Sequence, residues 1–466
     1  MVSANQADGG KPGAAPELLA APHARISVGR WAVALAGAVS LAVAMGIGRF
    51  AFTPLLPMML DDGVIDLPTA SGLASSNYLG YLAGAVLCTF QPRIWAWLNR
   101  VRQGGAKSAG LAPPNGPALV RAGLVATGLL TLGMALPLPA LWPVLRFAAG
   151  VASALVFVFT SGWCLAQLAA RGATAMGGVM YAGPGVGIVV SGLLASGMVV
   201  LHWRAAAAWG VFGVLAGVLT ACVWRIFGNG NGNGHSNSNS NSNSNSNGNG
   251  GPADATIVRP TAAPAASVAP TAHGRAEVVL LALAYGLAGF GYIVTATFLP
   301  VIARAALPGS AWLDLFWPLF GAGVIAGALL SSRLRVTGDL RLLLAGSYFI
   351  QAVGVALSVW LPSLLGFALG SLLLGLPFTA ITFFAMQEVR RLRPQAVAST
   401  MGLMTAMYGI GQIVGPPLAT QLLRRSGCAG AGFTLSLEIA AGALLVGAML
   451  YLWMVSAWPG QRKQIP

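Results

Sequence analysis

The stretch GIGRFAFTPLLP, residues 46–57, sets an arginine inside an apolar run. No charge occurs from Trp31 to Gly48, and none follows Arg49 until Asp61. Read as helix at about 1.5 Å per residue, the run places Arg49 about 27 Å from Trp31 and about 18 Å from Asp61. That depth lies in the outer half of a bilayer. A permanent cation there has three readings. Its long stem lets the guanidinium snorkel to the outer headgroups. Alternatively it pairs with a carboxylate on a neighbouring helix, for which Asp314 is the best partner by depth. In the third reading it faces a central cavity and holds an anionic or carboxylate-bearing solute through paired donors.

Composition shows why the run should be read against lipid. Of 466 residues, 56% are hydrophobic and 8% charged, and the mean hydropathy is +0.74. Soluble domains carry about 25% charged residues, so this chain cannot cover itself with a hydrated surface. It reads as an all-α polytopic membrane protein whose first partner is the lipid bilayer. The formal charge of +15 does not point to nucleic acid, because the basic residues lie between apolar segments and are not gathered on one soluble face. Cys88, Cys164, Cys222 and Cys428 are far apart, the four histidines lie outside the spans, and no phosphate-binding Gly-x-x-x-x-Gly-Lys-Ser/Thr string occurs. The reading is therefore not an enzyme, with no metal and no cofactor.

Apolar segments of about 20 residues, enough to cross the hydrocarbon, fall at 31–58, 70–91, 118–138, 141–168, 175–200, 205–226, 277–303, 312–332, 342–361, 363–386, 398–423 and 431–455. These are twelve transmembrane helices, in two six-helix bundles over 31–226 and 277–455, with tails at 1–30 and 456–466 and a linker at 227–276. Within the linker, NGNGNGHSNSNSNSNSNSNGNGG at 229–251 is too polar to offset the entropy of ordering and reads as a flexible tether. Segments on the N-terminal side of the bilayer hold 20 Lys and Arg residues and those on the other side 4. That bias puts both termini and the linker in the cytoplasm.

The halves echo one another. GIGRFAFTPLLP at 46–57 and GFGYIVTATFLP at 289–300 match at Gly46/Gly289, Gly48/Gly291, Leu56/Leu299 and Pro57/Pro300, which sets Tyr292 opposite Arg49. With SSNYLGYLAG at 75–84, YAGPGVGIVVSG at 181–192 and GIGQIVGPP at 409–417, the chain resembles the major facilitator superfamily, and within it the YbfB/YjiJ-type branch. The resemblance implies a multi-pass carrier of a bacterial inner membrane, working as a monomer. It would move a small organic solute by alternating access, with the proton gradient as driving force. A channel or a non-transporting membrane partner protein is the alternative. The superfamily's acidic and basic latch after the second span has no counterpart in GAVLCTFQPRIWAWLNRVRQGG at 84–105. Either other contacts replace it, or Asp339 and nearby arginines form a partial version.

Polar residues inside the spans are few, and an unpaired amide facing lipid is costly. Arg49, Asn77, Tyr78, Tyr292 and Gln412 are therefore the expected solute-binding residues. Intramembrane carboxylates are rare and usually functional, so Asp314 and Glu438 are the expected proton-coupling residues. Gly183, Pro184, Gly185, Gly187, Gly411, Gly415 and Pro416 remove side chains or backbone donors where helices meet and bend, and are read as gating and packing positions.

Overall fold

The structure, a computed structural model, describes residues 29–102, 115–228, 272–310, 312–334, 338–393, 397–426 and 429–459. The tether at 229–251 lies outside the described residues, as do most of both tails. Among the described residues, fourteen α-helices follow one another: α1 (Arg30–Leu41), α2 (Phe52–Asp61), α3 (Leu67–Arg102), α4 (Gly116–Gly133), α5 (Trp142–Ala169), α6 (Gly177–Tyr181), α7 (Gly183–Val200), α8 (Ala205–Val223), α9 (Ala272–Ala306), α10 (Phe316–Arg333), α11 (Leu340–Trp360), α12 (Leu364–Leu392), α13 (Val397–Ser426) and α14 (Ala429–Ala457). Of the described segments, 10 are long and apolar enough to cross a membrane. The long helices α3 and α13 fall outside that set, being richer in polar residues.

With α1 and α2 counted as one span and α6 and α7 as another, successive spans run alternately between two ends of the molecule. One is basic, carrying Arg100, Arg171, Arg225, Arg333, Arg390 and Arg391. At the opposite end lie short turns, including the one at 361–363 that separates α11 from α12. There Ser363 caps α12 by accepting from the Gly366 N–H.

The expected first span is not one regular helix. After α1 the chain widens into a π-helical stretch, Ala42–Ile47, with Gly48 N bonding to Val43 O at 2.9 Å and Phe50 N to Met45 O at 3.0 Å. Turns at 48–51 then lead into α2. Pro54 sits in the first turn of α2, where the absent N–H costs nothing. Such π-bulges re-aim the side chains beside them, and Arg49 lies in the turn that follows. The equivalent helix in the second half, α9, runs unbroken for 35 residues.

Glycines set the contacts around the break. A Cβ on Gly46 would collide with the Gly187 backbone, and one on Gly183 with the Ala38 carbonyl, so α7 lies directly on α1 and the π-helical stretch. Gly185 points the other way: a Cβ there would be 2.7 Å from the Gly321 carbonyl of α10. The GPGVG string thus packs against both halves of the chain. Gly411 abuts the Gly286 carbonyl and Gly415 the Ile293 side chain, which seats α13 on α9, with Pro416 buried beside them.

Candidate functional site

Arg49 is 3% exposed. Its Nη2 donates to Gln412 Oε1 on α13, and the Gln412 amide nitrogen donates to the Tyr292 hydroxyl on α9. Guanidinium only donates, so the glutamine must offer its carbonyl oxygen to Arg49, which directs its NH2 towards Tyr292. The chain Arg49–Gln412–Tyr292 crosses from the first half to the second. Aromatic faces surround the cation, whose Cζ is 4.1 Å from the Tyr81 ring centre, 5.2 Å from Tyr78 and 5.5 Å from Phe50. On the other side Tyr292 packs against Phe378 at 5.0 Å and Tyr408 at 5.8 Å. Of these rings Tyr81, Phe378 and Tyr408 keep partial exposure, while Phe50, Tyr78 and Tyr292 are buried.

The ion pair between Arg49 and Asp314, one of the three readings of the sequence, does not form. Asp314 pairs instead with Arg304 at 2.9 Å, both groups about a quarter exposed at the end opposite the basic one. Ten residues separate the two, so the turn between α9 and α10 folds one onto the other. Among the described residues Arg49 has no carboxylate partner, and its Nε has no hydrogen bond. Nor does Arg49 reach headgroups by snorkelling, because it is enclosed by helices. A charged hydrogen bond contributes about 1.5–3 kcal/mol, whereas burying an ion costs several kcal/mol. Cation–π contact adds about 0.5–2 kcal/mol and leaves room for an anion to stabilise the site further.

Other expected residues divide between this cluster and its supports. Tyr78 joins it, its hydroxyl 2.9 Å from Thr297 Oγ1 across the two halves. Asn77 does not: its amide donates to the Arg146 carbonyl at 2.9 Å, between α3 and α5. Glu438 is exposed on the outward face of α14 beside exposed Leu435 and Ile439, apart from the cluster.

One group was missed in the sequence, and a second was read only in part, as Asp339 with nearby arginines. Arg146 on α5 is buried and donates to the Gly48 and Arg49 carbonyls at 3.2 and 3.1 Å, satisfying backbone freed by the break. It is the only charged residue between Arg121 and Arg171, so the test that singled out Arg49 would also have found it. The second group gathers at the basic end of the second half. Arg341, fully buried, donates to Glu277 at 2.8 Å, to Asp339 at 2.7 Å and to the carbonyls of Met454 and Trp458 at 3.0 and 2.7 Å. Arg391 adds contacts to Glu388 and Glu277. Asp339 caps α11. Burial opposes ionisation of Asp339, but its bonds from Arg341 outweigh this and hold the carboxyl below its ordinary range. This network ties α9, α11, α12 and α14 of one half, so among the described residues Asp339, Arg341 and Arg391 pair within that half.

The halves meet elsewhere. Thr53 Oγ1 donates to the Ala296 carbonyl at 2.7 Å, Ser75 Oγ to Ile413 O at 3.2 Å, and Ser196 Oγ to Asp314 O at 3.3 Å. Two surface clefts, one between α3 and α13 at Pro68 and Pro417 and one lined by Asp62, Trp142 and Trp209, do not include Arg49. The all-α bundle agrees with the family match, which covers residues 41–249 and 254–452 and carries the description "uncharacterised MFS-type transporter YbfB". The chain belongs to this transporter family. Its fold is also similar to the crystal structure of a mutant form of the nucleoside transporter NupG. That likeness has a TM-score of 0.60 and 12% identity, covering 91% of this chain and 99% of the other. At such identity it bears on fold alone. No curated protein matches the sequence. Membership makes the chain a multi-pass membrane transporter and not an enzyme; among the described residues no cluster suited to a metal occurs.

Proposed function

We propose that this family member is a secondary carrier in which Arg49 anchors a small organic anion between two six-helix bundles, 31–226 and 277–455. The observation that carries the reading is a buried guanidinium whose hydrogen-bonded partner is a neutral amide on the opposite half. An anion arriving there meets Nε of Arg49 with no bond to break. It also competes with Gln412 for Nη2, so loading the site alters the contact that joins the halves. That is the coupling alternating access requires: a ligand shifts a conformational equilibrium only by binding its states differently.

Access is from the basic end, which the distribution of Lys and Arg assigns to the cytoplasm of a bacterial inner-membrane protein. Tyr81 and Tyr408 lie on that side of Arg49 and are partly exposed. At the opposite end Thr53 meets Ala296, and Leu56, Phe298 and Leu299 are buried. The twelve-span count adds α3 and α13 to the ten apolar spans, and the carrier works as a monomer.

Asp314 is the carboxylate best placed for proton coupling. Its turn touches α7 through Ser196, and protonation would release Arg304 at that junction. The test is uptake of organic anions by proteoliposomes under an imposed proton gradient. Saturable, gradient-dependent flux that Arg49→Gln abolishes is expected, and ohmic flux would make the protein a channel. Asp314→Asn should keep solute exchange while losing accumulation; normal accumulation would remove Asp314 from coupling.

A further inference from the structure

The groups around Arg49 narrow the kind of anion. Six rings lie about it or its glutamine link: Phe50, Tyr78, Tyr81, Tyr292, Phe378 and Tyr408. The polar groups among them are largely committed to one another, Tyr78 with Thr297 and Gln412 with both Arg49 and Tyr292. A polyhydroxylated body would therefore find few free partners among these groups, and buried polar groups without partners are costly. No carboxylate among the described residues joins the cluster. Asp314 is held by Arg304, Glu277 and Glu388 by Arg341 and Arg391, and Glu438 faces outward. An ammonium group on the solute would thus have no counter-charge, and it would sit beside a fixed cation.

We infer that the solute is an aromatic monocarboxylate without a cationic group, its carboxylate on Arg49 and its ring among Tyr81, Phe378 and Tyr408. This rests on the anion reading above. Arg49 is suited to the carboxylate because its Nε has no hydrogen-bond partner among the described residues and shares an edge with Nη2, the edge a carboxylate takes in a two-point contact in competition with Gln412. The three partly exposed rings suit the arene, since aromatic pairs favour offset or edge contacts at centroid separations of about 4.5–7 Å. Tyr292 already meets Phe378 at 5.0 Å with the rings inclined by 67°.

The full chain, purified in detergent, is heated with benzoate, phenylacetate, acetate, phenylalanine or benzylamine. Benzoate and phenylacetate should raise Tm by about 4 °C near saturation, acetate by much less, and phenylalanine and benzylamine not at all. Arg49→Gln should erase the aromatic-acid shift. Phe378→Ala should raise the half-saturating benzoate concentration about tenfold, the effect of losing roughly one ring contact, and leave that for acetate unchanged. If acetate stabilises through Arg49 as well as benzoate does, the aromatic assignment fails while the anion reading stands. Phenylalanine or benzylamine acting as strongly as benzoate overturns the exclusion of ammonium groups. If no anion shifts Tm, or the shift survives Arg49→Gln, the inference and the reading beneath it both fall.

Discussion

Arg49 and Arg341 are both guanidinium groups sunk among helices, and their surroundings are opposites. Arg341 brings its own anions: Glu277, Asp339 and Glu388 lie around it, and the carbonyls of Met454 and Trp458 take further bonds. Arg49 has one amide and three ring faces. The first arrangement is complete within one half of the molecule and holds four helices at one end. The second spans both halves and is electrostatically incomplete. A buried cation whose charge is already matched serves the fold; the one left unmatched where the two halves meet is the one we propose for a ligand.

The largest expected effect tests the first side of that contrast. Arg341→Met leaves three carboxylates without their shared partner, and breaking a buried pair typically costs about 3–5 kcal/mol. The folded fraction in detergent, read by size-exclusion chromatography after heating, should fall sharply. An unchanged profile would mean that the carboxylates are matched by other cations. A smaller loss is expected for Gly46→Ala, whose Cβ would meet the Gly187 backbone. Overpacking of this kind costs about 1–3 kcal/mol, and because the clash lies one turn from Arg49, transport should fall further than stability. Equal falls would separate the break in the first helix from the site.

Titration gives a milder perturbation. Burial raises the Asp339 pKa, but the bonds from Arg341 dominate and depress it overall. A depressed carboxyl contributes stability that is present above its unfolded value of about 3.9 and is lost as pH falls through the folded value. Wild type should therefore hold its advantage over Asp339→Asn at neutral pH and lose it only below about pH 4. A difference that disappears near neutrality would point to another group. The smallest effect is expected at the tether: a Gly-Ser stretch of equal length in place of residues 229–251 should leave flux nearly unchanged, since linkers act mainly through reach. A loss of more than about tenfold with normal abundance would mean the Asn-rich stretch has a specific partner.

Much of this contrast could be read from residue types. Arg49 stood out because a charge in an apolar run needs a reason, and its offset to Tyr292 followed from the glycine and proline matches between halves. Gln412 was singled out because an unpaired amide facing lipid is costly. What pairs with what was not legible. Depth alone made Asp314 the best carboxylate partner for Arg49, but Asp314 is paired with Arg304. Asn77 looked like a ligand contact, and its amide nitrogen bonds the Arg146 carbonyl while its Oδ1 has no partner among the described residues. The Arg341 network joins residues 277, 339, 341, 388 and 391, whose adjacency depends on four helix ends converging. The π-helical break in the first span is accompanied by packing on Gly187 and by bonds from Arg146, both supplied from distant parts of the chain.

The unmatched charge of Arg49 is tested most directly by the affinity of whichever anion stabilises the wild-type protein, measured by titration in wild type, Arg49→Lys and Arg49→Gln. Lysine keeps the charge but loses the planar fork, and glutamine loses both. The account predicts weakening of about tenfold for lysine and at least about a hundredfold for glutamine, the size of a charged hydrogen-bonded contact, with both variants folded as well as wild type. Unchanged affinity in both would contradict it and return the arginine of GIGRF to helix packing.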